Sequence, residues 1–270
     1  MIINCKEIRD EILANVKAEV EGMTIQPHLV IVSIGHDDPS EIYMRNKIKT
    51  AESVGIKCTH VRLDETLSQD ELENELMKRA VADSNHAIIL QLPIPSHLDE
   101  KRLLDCIPYW KDVDGLTDLN KSKLLNNDPD VIVPCTAKAV HKIINKAYGK
   151  DLSQANVTII NRSALIGKPL AQLLLNENAT PTICHSKTGN VYTHIHTADI
   201  VVIGIGKPEY FDCRVFEEGQ IVIDCGISYV NGKIKRDVYN DDSVNIKYAD
   251  KVGIITTACV MENVIECCKL

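Results

Sequence analysis

The sequence predicts an α/β protein of two domains, each a mainly parallel sheet flanked by helices, and three observations lead to this class. The length of 270 residues exceeds one average domain. Continuous apolar runs, such as 28–35 and 199–206, suit strands that are buried on both faces. Amphipathic stretches separate these runs, and strands that alternate with helices form parallel sheets with right-handed crossovers.

Composition excludes several classes of protein. Apolar residues make up 44% and charged residues 25%, which is typical of a folded globular chain. A formal net charge of −8 argues against nucleic-acid binding, which needs a basic face. No apolar run is long enough to cross a bilayer, so no membrane partner is expected. Ten scattered cysteines without zinc spacing predict no metal site, and they favour reduced, buried thiols in a cytoplasmic protein.

The first half of the chain is predicted to contain strands at 28–35, 56–63 and 87–95 and helices at 41–54, from 68 onwards, and at 100–106. Ser40 is the expected N-cap of the helix at 41–54, and Gly55 stands at its end. Ser68 and Glu71 form a capping box for the next helix.

The second half follows a polar, turn-rich stretch at 120–130, which marks the predicted division between the domains. Strands are expected at 157–161, 180–185, 199–206 and 220–227. A helix is expected with Thr136 at its N-cap and Gly149 at its end, and a closing helix has Thr256 at its start. The pair Asn231-Gly232 predicts a hairpin turn.

A nucleotide site is indicated by the strand, tight turn and helix start at 157–175. The helix N-terminus is expected to offer free N–H groups to a phosphate, aided by Arg162, Ser163 and Gly167. The alternative is an ordinary β–α turn with a surface arginine, because the first two glycines of G-x-G-x-x-G are absent. The next strand ends in 184–187, Cys-His-Ser-Lys, with no carboxylate for a ribose 2′-hydroxyl. This ending favours NADP over NAD, although a solvated loop would look the same.

A catalytic or ligand-binding site is indicated by polar residues that come after buried strands. Tyr43 and Lys47 are four apart, on one face of the predicted helix at 41–54. Gln91 ends a buried strand and needs a hydrogen-bonding partner. Asp112 and Asp114 occur in a loop where one carboxylate could bind a ligand. The alternatives are a solvated Tyr–Lys pair, a satisfied strand-end glutamine and simple turn chemistry.

These motifs occur together in the order of a known family. The chain resembles the bifunctional methylenetetrahydrofolate dehydrogenase/methenyltetrahydrofolate cyclohydrolase family over nearly its full length. The resemblance is carried by Ser40, Tyr43 and Lys47, Gln-Leu-Pro-Ile-Pro at 91–95, Lys-Asp-Val-Asp-Gly at 111–115, Pro-Cys-Thr at 134–136, Arg-Ser-x-x-x-Gly-Lys-Pro at 162–169, Cys-His-Ser-x-Thr at 184–188 and Ile-Asp-Cys-Gly-Ile at 223–227.

The resemblance implies two α/β domains around a cleft. Residues 1–125 with a C-terminal helix at 256–270 would bind tetrahydrofolate derivatives, and a Rossmann-type domain at 126–255 would bind NADP. It further implies a homodimer. The implied reactions are hydride transfer from methylene-tetrahydrofolate to NADP and hydrolysis of the methenyl product to formyl-tetrahydrofolate, within one-carbon metabolism and purine biosynthesis.

Residue roles follow from the same resemblance. Lys47 would assist proton transfer as water attacks the methenyl carbon, Tyr43 would stack on the folate, and Gln91 would hydrogen-bond Lys47. Asp114 would accept hydrogen bonds from the pterin. The implied cofactor-binding residues are Asn161, Arg162, Ser163, Gly167, Ser186 and Ile227.

Two departures from the family suggest alternatives. Asn161 replaces a glycine, and 248–256, expected to be a loop, lacks the family's prolines and paired glycines. One alternative is therefore a member with impaired dehydrogenase activity, either cyclohydrolase-only or a regulatory binding protein. Another is a different NADP-dependent dehydrogenase, acting on a shikimate-like or amino-acid substrate.

Overall fold

A computed structural model describes residues 1–36 and 38–270, with side chains for all of these except 38–40. The chain divides into two compact units. One unit comprises 1–9 and 136–256 and holds a five-stranded sheet; the other comprises 10–135 and 257–270 and holds a three-stranded sheet. We call them the five-stranded unit and the three-stranded unit. No helix in the described part of the chain is long and apolar enough to span a membrane.

The elements alternate along the chain as the sequence predicts. The strands are β1 His28–Ile34, β2 Lys57–Leu63, β3 Ala87–Leu90, β4 Asn156–Ile160, β5 Thr180–Cys184, β6 Ile200–Ile203, β7 Phe211–Asp212, β8 Ile221–Asp224, β9 Ser228–Val230, β10 Lys233–Lys235, β11 Val238–Tyr239 and β12 Lys247–Ala249. The α-helices are α1 Cys5–Gly22, α2 Asp38–Ser53, α3 Gln69–Ala80, α4 Glu100–Leu104, α5 Asp118–Leu125, α6 Cys135–Ala147, α7 Gly167–Asn176, α8 Val191–His196 and α9 Val252–Cys267.

The three-stranded unit has the strand order β2-β1-β3, with all pairs parallel. Every residue of β1 is buried, which confirms the strand predicted from its continuous apolar run. Val32 pairs with Leu90, so the residues after β1 and β3 emerge at the same edge of the sheet. The predicted capping box is present: Ser68 accepts from the Glu71 N–H, and Glu71 accepts from the Ser68 N–H at 2.8 Å.

The five-stranded unit has the parallel order β12-β8-β6-β4-β5 and an almost entirely buried centre. Ile160 pairs with both Cys184 and Ile203, and Ile203 pairs with Asp224. Four strands therefore end level with one another, at the edge where open α/β sheets bind ligands. The predicted hairpin is formed by β9 and β10 around Asn231 and Gly232, which both have positive φ.

Two predicted helix starts are wrong. α2 begins at Asp38, so Ser40 lies in its first turn and not before it, and the Ser40 side chain is outside the described residues. α6 begins at Cys135, which places Thr136 inside the helix. In these two cases helical backbone starts one or two residues before the polar residue that was expected to cap it.

The segment 248–256 is not the loop that the sequence predicted. Its first two residues end β12, which pairs with β8, and α9 begins at Val252, one turn before Thr256. Val252 and Ile255 are buried, so the apolar face of the closing helix extends upstream of the predicted start. Where the family has a loop with prolines and glycines, this chain has the end of β12 and the start of α9. Asp250 and Lys251 alone connect the two.

Candidate functional site

Lys47 and Gln91 meet in the three-stranded unit, as the family resemblance implies. The Lys47 Nζ on α2 donates to Oε1 of Gln91 at 3.1 Å. Gln91 is the first residue after β3, and its N–H continues the sheet by donating to the Val32 carbonyl at 2.7 Å. Its Nε2 donates to the Leu92 carbonyl at 2.7 Å, which leaves Oε1 to face the lysine. The amine is therefore oriented by a fixed, neutral acceptor.

α2 places Tyr43 one turn before Lys47. Met44 and Ala51, on the neighbouring face of the helix, are buried at 2% and 0% exposure, which anchors α2 against the unit. The Tyr43 side chain keeps 37% of its surface exposed, and Lys47 is half-buried. An aromatic ring and an amine on one helix edge, beside a strand end, can contact a flat heterocyclic ligand and its reacting carbon.

Asp112 and Asp114 have different environments. Asp112 is 2% exposed and accepts hydrogen bonds from the Thr117 N–H at 2.8 Å and from Asn120 Nδ2 at 2.9 Å. Burial raises the pKa of Asp112, and these hydrogen bonds act in the opposite direction. Asp112 thus shapes the loop. The Asp114 side chain is half-buried, and no hydrogen bond with another described residue engages it, so its carboxylate remains available to a ligand.

Asn263 fixes the backbone next to Asp114, a role that the sequence analysis missed. Asn263 has no exposed surface, and its Nδ2 donates to the carbonyls of Val113 at 2.8 Å and Val133 at 2.9 Å. The Cys135 thiol also donates to the Val113 carbonyl, at 3.3 Å. An asparagine inside the apolar stretch of the closing helix was the available signal, because a buried amide must find partners.

Cys58 lies within electrostatic range of Lys47. Burial raises the pKa of Cys58 to about 11, and Glu52 adds to this shift, whereas the charge of Lys47 opposes it. Cys58 is therefore a neutral thiol near pH 7 and is not a candidate nucleophile.

In the five-stranded unit, Asn161 organises the turn between β4 and α7. Its Oδ1 accepts from the Ser163 N–H at 2.8 Å, the Ser163 hydroxyl at 2.8 Å and the Gly167 N–H at 3.0 Å. Its Nδ2 donates to the Gly204 carbonyl, which links the turn to the end of β6. A Cβ on Gly167 would lie 2.0 Å from the Asn161 carbonyl oxygen, so the close approach predicted for this glycine is made to the turn itself.

The prediction of free N–H groups at the start of α7 is wrong. The Gly167 N–H is bound by Asn161, the Lys168 N–H donates to the Ser163 carbonyl at 3.1 Å, and Pro169 has no N–H. The Ser163 hydroxyl is also engaged, since it accepts from the Ile166 N–H at 3.1 Å. The asparagine side chain occupies the donors that a phosphate would otherwise use.

Exposed polar residues nevertheless follow two adjacent strand ends beside this turn. Because Ile160 pairs with Cys184, Arg162 and Ser186 each follow a level strand end by two residues. The turn after β5 is fixed by the His185 N–H, which donates to Thr188 Oγ1 at 2.9 Å. Arg162, Ser186 and Lys187 are exposed. Two positively charged side chains and a hydroxyl on adjacent strand ends could attract and hydrogen-bond a phosphate group.

Asp237 holds the loop after β6 and was also missed. Its carboxylate accepts the N–H groups of Ile205 at 2.6 Å, Gly206 at 3.0 Å and Lys207 at 2.7 Å. Ile227, a predicted cofactor contact, is half-buried in the neighbouring loop after β8. Asp237 was not distinguishable in the sequence, because nothing local marks a carboxylate that binds a loop some thirty residues away.

Comparison with known proteins connects these two units to one family. Residues 3–114 match the family model described as "Tetrahydrofolate dehydrogenase/cyclohydrolase, catalytic domain". Residues 134–270 match "Tetrahydrofolate dehydrogenase/cyclohydrolase, NAD(P)-binding domain". The bifunctional protein FolD of Clostridium novyi is 37% identical over 273 residues, which cover 98% of each chain.

Solved structures show the same similarity. The bifunctional 5,10-methylenetetrahydrofolate dehydrogenase/cyclohydrolase of Thermoplasma acidophilum superposes with a TM-score of 0.93 at 30% identity, over 100% of this chain and 98% of the other. The enzyme of Trypanosoma brucei, solved with NADP and an inhibitor, gives a TM-score of 0.88 at 29% identity, over 100% and 97% of the two chains.

Proposed function

Since the chain belongs to the tetrahydrofolate dehydrogenase/cyclohydrolase family, we propose that it oxidises methylene-tetrahydrofolate with NADP and hydrolyses the methenyl product to formyl-tetrahydrofolate. The single observation that carries the proposal is the Lys47–Gln91 hydrogen bond of 3.1 Å beside the exposed edge of Tyr43. This arrangement supplies an oriented amine next to a surface that can hold a flat ring.

The hydrolysis needs proton transfers, which we assign to Lys47. Water adds to the methenyl carbon and loses a proton, and the carbon–nitrogen bond of the ring then opens as the leaving nitrogen gains one. A positioned amine can carry these protons, and such general acid–base catalysis is typically worth about 10²–10⁴ in rate. Gln91 keeps the amine in place, Tyr43 packs on the folate, and Asp114 accepts hydrogen bonds from the pterin.

The five-stranded unit suits NADP through its own residues. Arg162 and Ser186 are exposed and would bind phosphate oxygens, with Lys187 adding positive charge. Asn161, Ser163 and Gly167 would shape the turn that presents Arg162, and Ile227 would pack against the cofactor. When bound, NADP supplies the hydride acceptor. The lack of a carboxylate after β5 favours a 2′-phosphate over a 2′-hydroxyl.

Neither alternative function gains support. The hypothesis of an impaired dehydrogenase depended on an irregular 248–256 loop, and this segment ends β12 and begins α9. The hypothesis of a shikimate-type or amino-acid dehydrogenase does not account for a family match to both parts of the chain.

We also propose a cytoplasmic homodimer whose product supplies formyl groups for purine biosynthesis. Each of the ten cysteines is buried or half-buried, which suits reduced thiols in a cytoplasmic protein. The hairpin of β9 and β10 exposes Tyr229 and Ile234, at 54% and 53%, and these apolar side chains favour self-association through the five-stranded unit. Light scattering after size-exclusion chromatography measures the mass, and a mass of 30.0 kDa would contradict the dimer.

A paired assay on one preparation tests the function. NADP reduction with methylene-tetrahydrofolate and the absorbance loss of methenyl-tetrahydrofolate are measured together. The proposal predicts enzyme-dependent turnover in both assays. Hydrolysis without NADP reduction would reinstate the cyclohydrolase-only alternative, and neither activity would refute the proposal.

A further inference from the structure

We propose that the Tyr248 hydroxyl and the Asp224 carboxylate act as a positioning pair that holds the turn at 225–227 in its nucleotide-binding shape. The inference rests on the proposed function, because it assigns this turn to the NADP site. Asp224 ends β8, level with the strand ends that precede Asn161 and Gly204. Its neighbours along the chain therefore lie at the ligand-binding edge of the sheet.

Asp224 has no exposed surface and accepts three hydrogen bonds. Its Oδ1 binds the Gly226 N–H at 2.8 Å. Its Oδ2 binds the Val238 N–H at 2.8 Å and the Tyr248 hydroxyl at 3.1 Å. The carboxylate thus connects the turn after β8 with β11 and β12.

Gly226 is held from the other sides as well. Its carbonyl accepts from Arg236 Nη1 at 3.0 Å. A Cβ on Gly226 would lie 2.1 Å from Cγ of Asp237, the residue that binds the loop after β6. Gly226 is therefore held at its N–H by Asp224, at its carbonyl by Arg236 and at its Cα by contact with Asp237.

Tyr248 is itself rigidly placed. Its ring is 5% exposed, and its strand pairs with β8. On the other side, the Tyr248 N–H donates to the Met1 carbonyl at 2.9 Å, and the Ile3 N–H donates to the Tyr248 carbonyl at 2.8 Å. A phenol fixed in this way delivers its hydroxyl to Asp224 without losing further side-chain freedom.

The surroundings make this carboxylate sensitive to pH. Burial raises the pKa of Asp224 to about 6, and Asp237 acts in the same direction. Burial raises the pKa of Cys225 and of Tyr248, and the charge of Arg236 opposes both shifts. Asp250 adds to the shift of Tyr248, and Cys5 adds to that of Cys225. Because Oδ2 already accepts two hydrogen bonds, a proton on it would displace a donor, and a proton on Oδ1 would remove the charge that strengthens the bond from the Gly226 N–H. The turn is therefore expected to loosen as the pH falls through about 6.

The test compares Tyr248→Phe with Tyr239→Phe, a control on β11 whose ring is 46% exposed. For each protein, kcat/KM for NADP is measured from pH 5 to 8.5, and methenyl hydrolysis is measured without nucleotide. Tyr248→Phe is expected to lower kcat/KM about tenfold at pH 7, because a hydrogen bond to the charged carboxylate is lost. The acid limb should move up by about one pH unit, since that hydrogen bond favours the ionised form. Hydrolysis should stay within about twofold of wild type.

A second variant, Asp224→Asn, keeps the shape but cannot ionise. It is expected to give low kcat/KM for NADP with no acid limb between pH 5 and 7. The inference is overturned if Tyr248→Phe keeps the acid limb of Tyr239→Phe, or if Asp224→Asn retains the wild-type profile. Wild-type protein that reduces no NADP at any pH would instead refute the proposed function, and the inference with it.

Discussion

Replacing Asn263 by Ala should destabilise the three-stranded unit more than the same replacement of an exposed asparagine does. The Asn263 amide donates to two carbonyls, those of Val113 and Val133, and it has no exposed surface. Water cannot easily replace the lost donors at such a site. The Val133 carbonyl would lose this donor, and the Val113 carbonyl would keep only the weaker Cys135 thiol donor.

The magnitude follows from the number of carbonyls left without this donor. A buried group left unsatisfied costs about 1–3 kcal/mol, and because the Val113 carbonyl keeps the Cys135 thiol and Val133 is only half-buried, the expected total cost is about 1–3 kcal/mol. Total stabilities are about 5–15 kcal/mol, so this is a large fraction. At about 2–4 °C per kcal/mol, the expected drop in Tm is about 2–12 °C. Methenyl hydrolysis should fall as well, because the Val113 carbonyl adjoins Asp114.

Asn126→Ala provides a matched control. Asn126 also donates through Nδ2 to a backbone carbonyl, that of Ser122 at 2.9 Å, but it is exposed and water can take its place. Surface substitutions of this kind usually change stability by less than about 0.5 kcal/mol. Calorimetry and urea unfolding of both variants test the argument. Equal Tm values for Asn263→Ala and Asn126→Ala would refute it.

Three further outcomes are expected. Gly167→Ala should raise the KM for NADP at least tenfold and spare hydrolysis, because its Cβ would meet the Asn161 carbonyl at 2.0 Å; Gly189→Ala, with nothing within 4 Å, should match wild type. Ser68→Ala should lower stability by about 1 kcal/mol in urea unfolding through loss of the α3 cap, with both activities unchanged. Burial raises the pKa of Cys58 to about 11, so its thiol should react slowly with maleimide at pH 7 and faster as the pH approaches 11; fast labelling at pH 7 would contradict this.

The sheets were predictable because their signals are local. A parallel strand covered on both faces must be apolar throughout, and β1 and β6 show this directly in sequence. The contact between Lys47 and Gln91 was implied by the family resemblance; from the residues alone, only the need of Gln91 for a partner could be predicted. Helix starts were less predictable: two aspartates precede Ser40 in sequence, whereas α6 begins one residue before Thr136, the one capping-type residue near its start.

The residues that hold the loops of each site in place could not be predicted from the sequence. The Asn161 side-chain oxygen accepts the Gly167 N–H that would otherwise be free at the start of α7. This contact forms only because the turn folds back and brings Gly167 next to Asn161. Asp237 and Asn263 act on loops far away in sequence, so no spacing rule identifies them. The segment 248–256 was misread as a loop because its strand is completed by an edge contact between Tyr248 and Ile2, at the opposite end of the chain.

The central claim is that the Lys47 amine, held by Gln91, carries out methenyl hydrolysis, and substitution of this lysine tests it most directly. Lys47→Met is compared with Lys49→Met, an exposed position on the same helix. Lys47→Met should lower the hydrolysis rate by about 10²–10⁴ and keep part of the NADP reduction. Lys49→Met should leave both rates unchanged. Full hydrolysis by Lys47→Met would contradict the account.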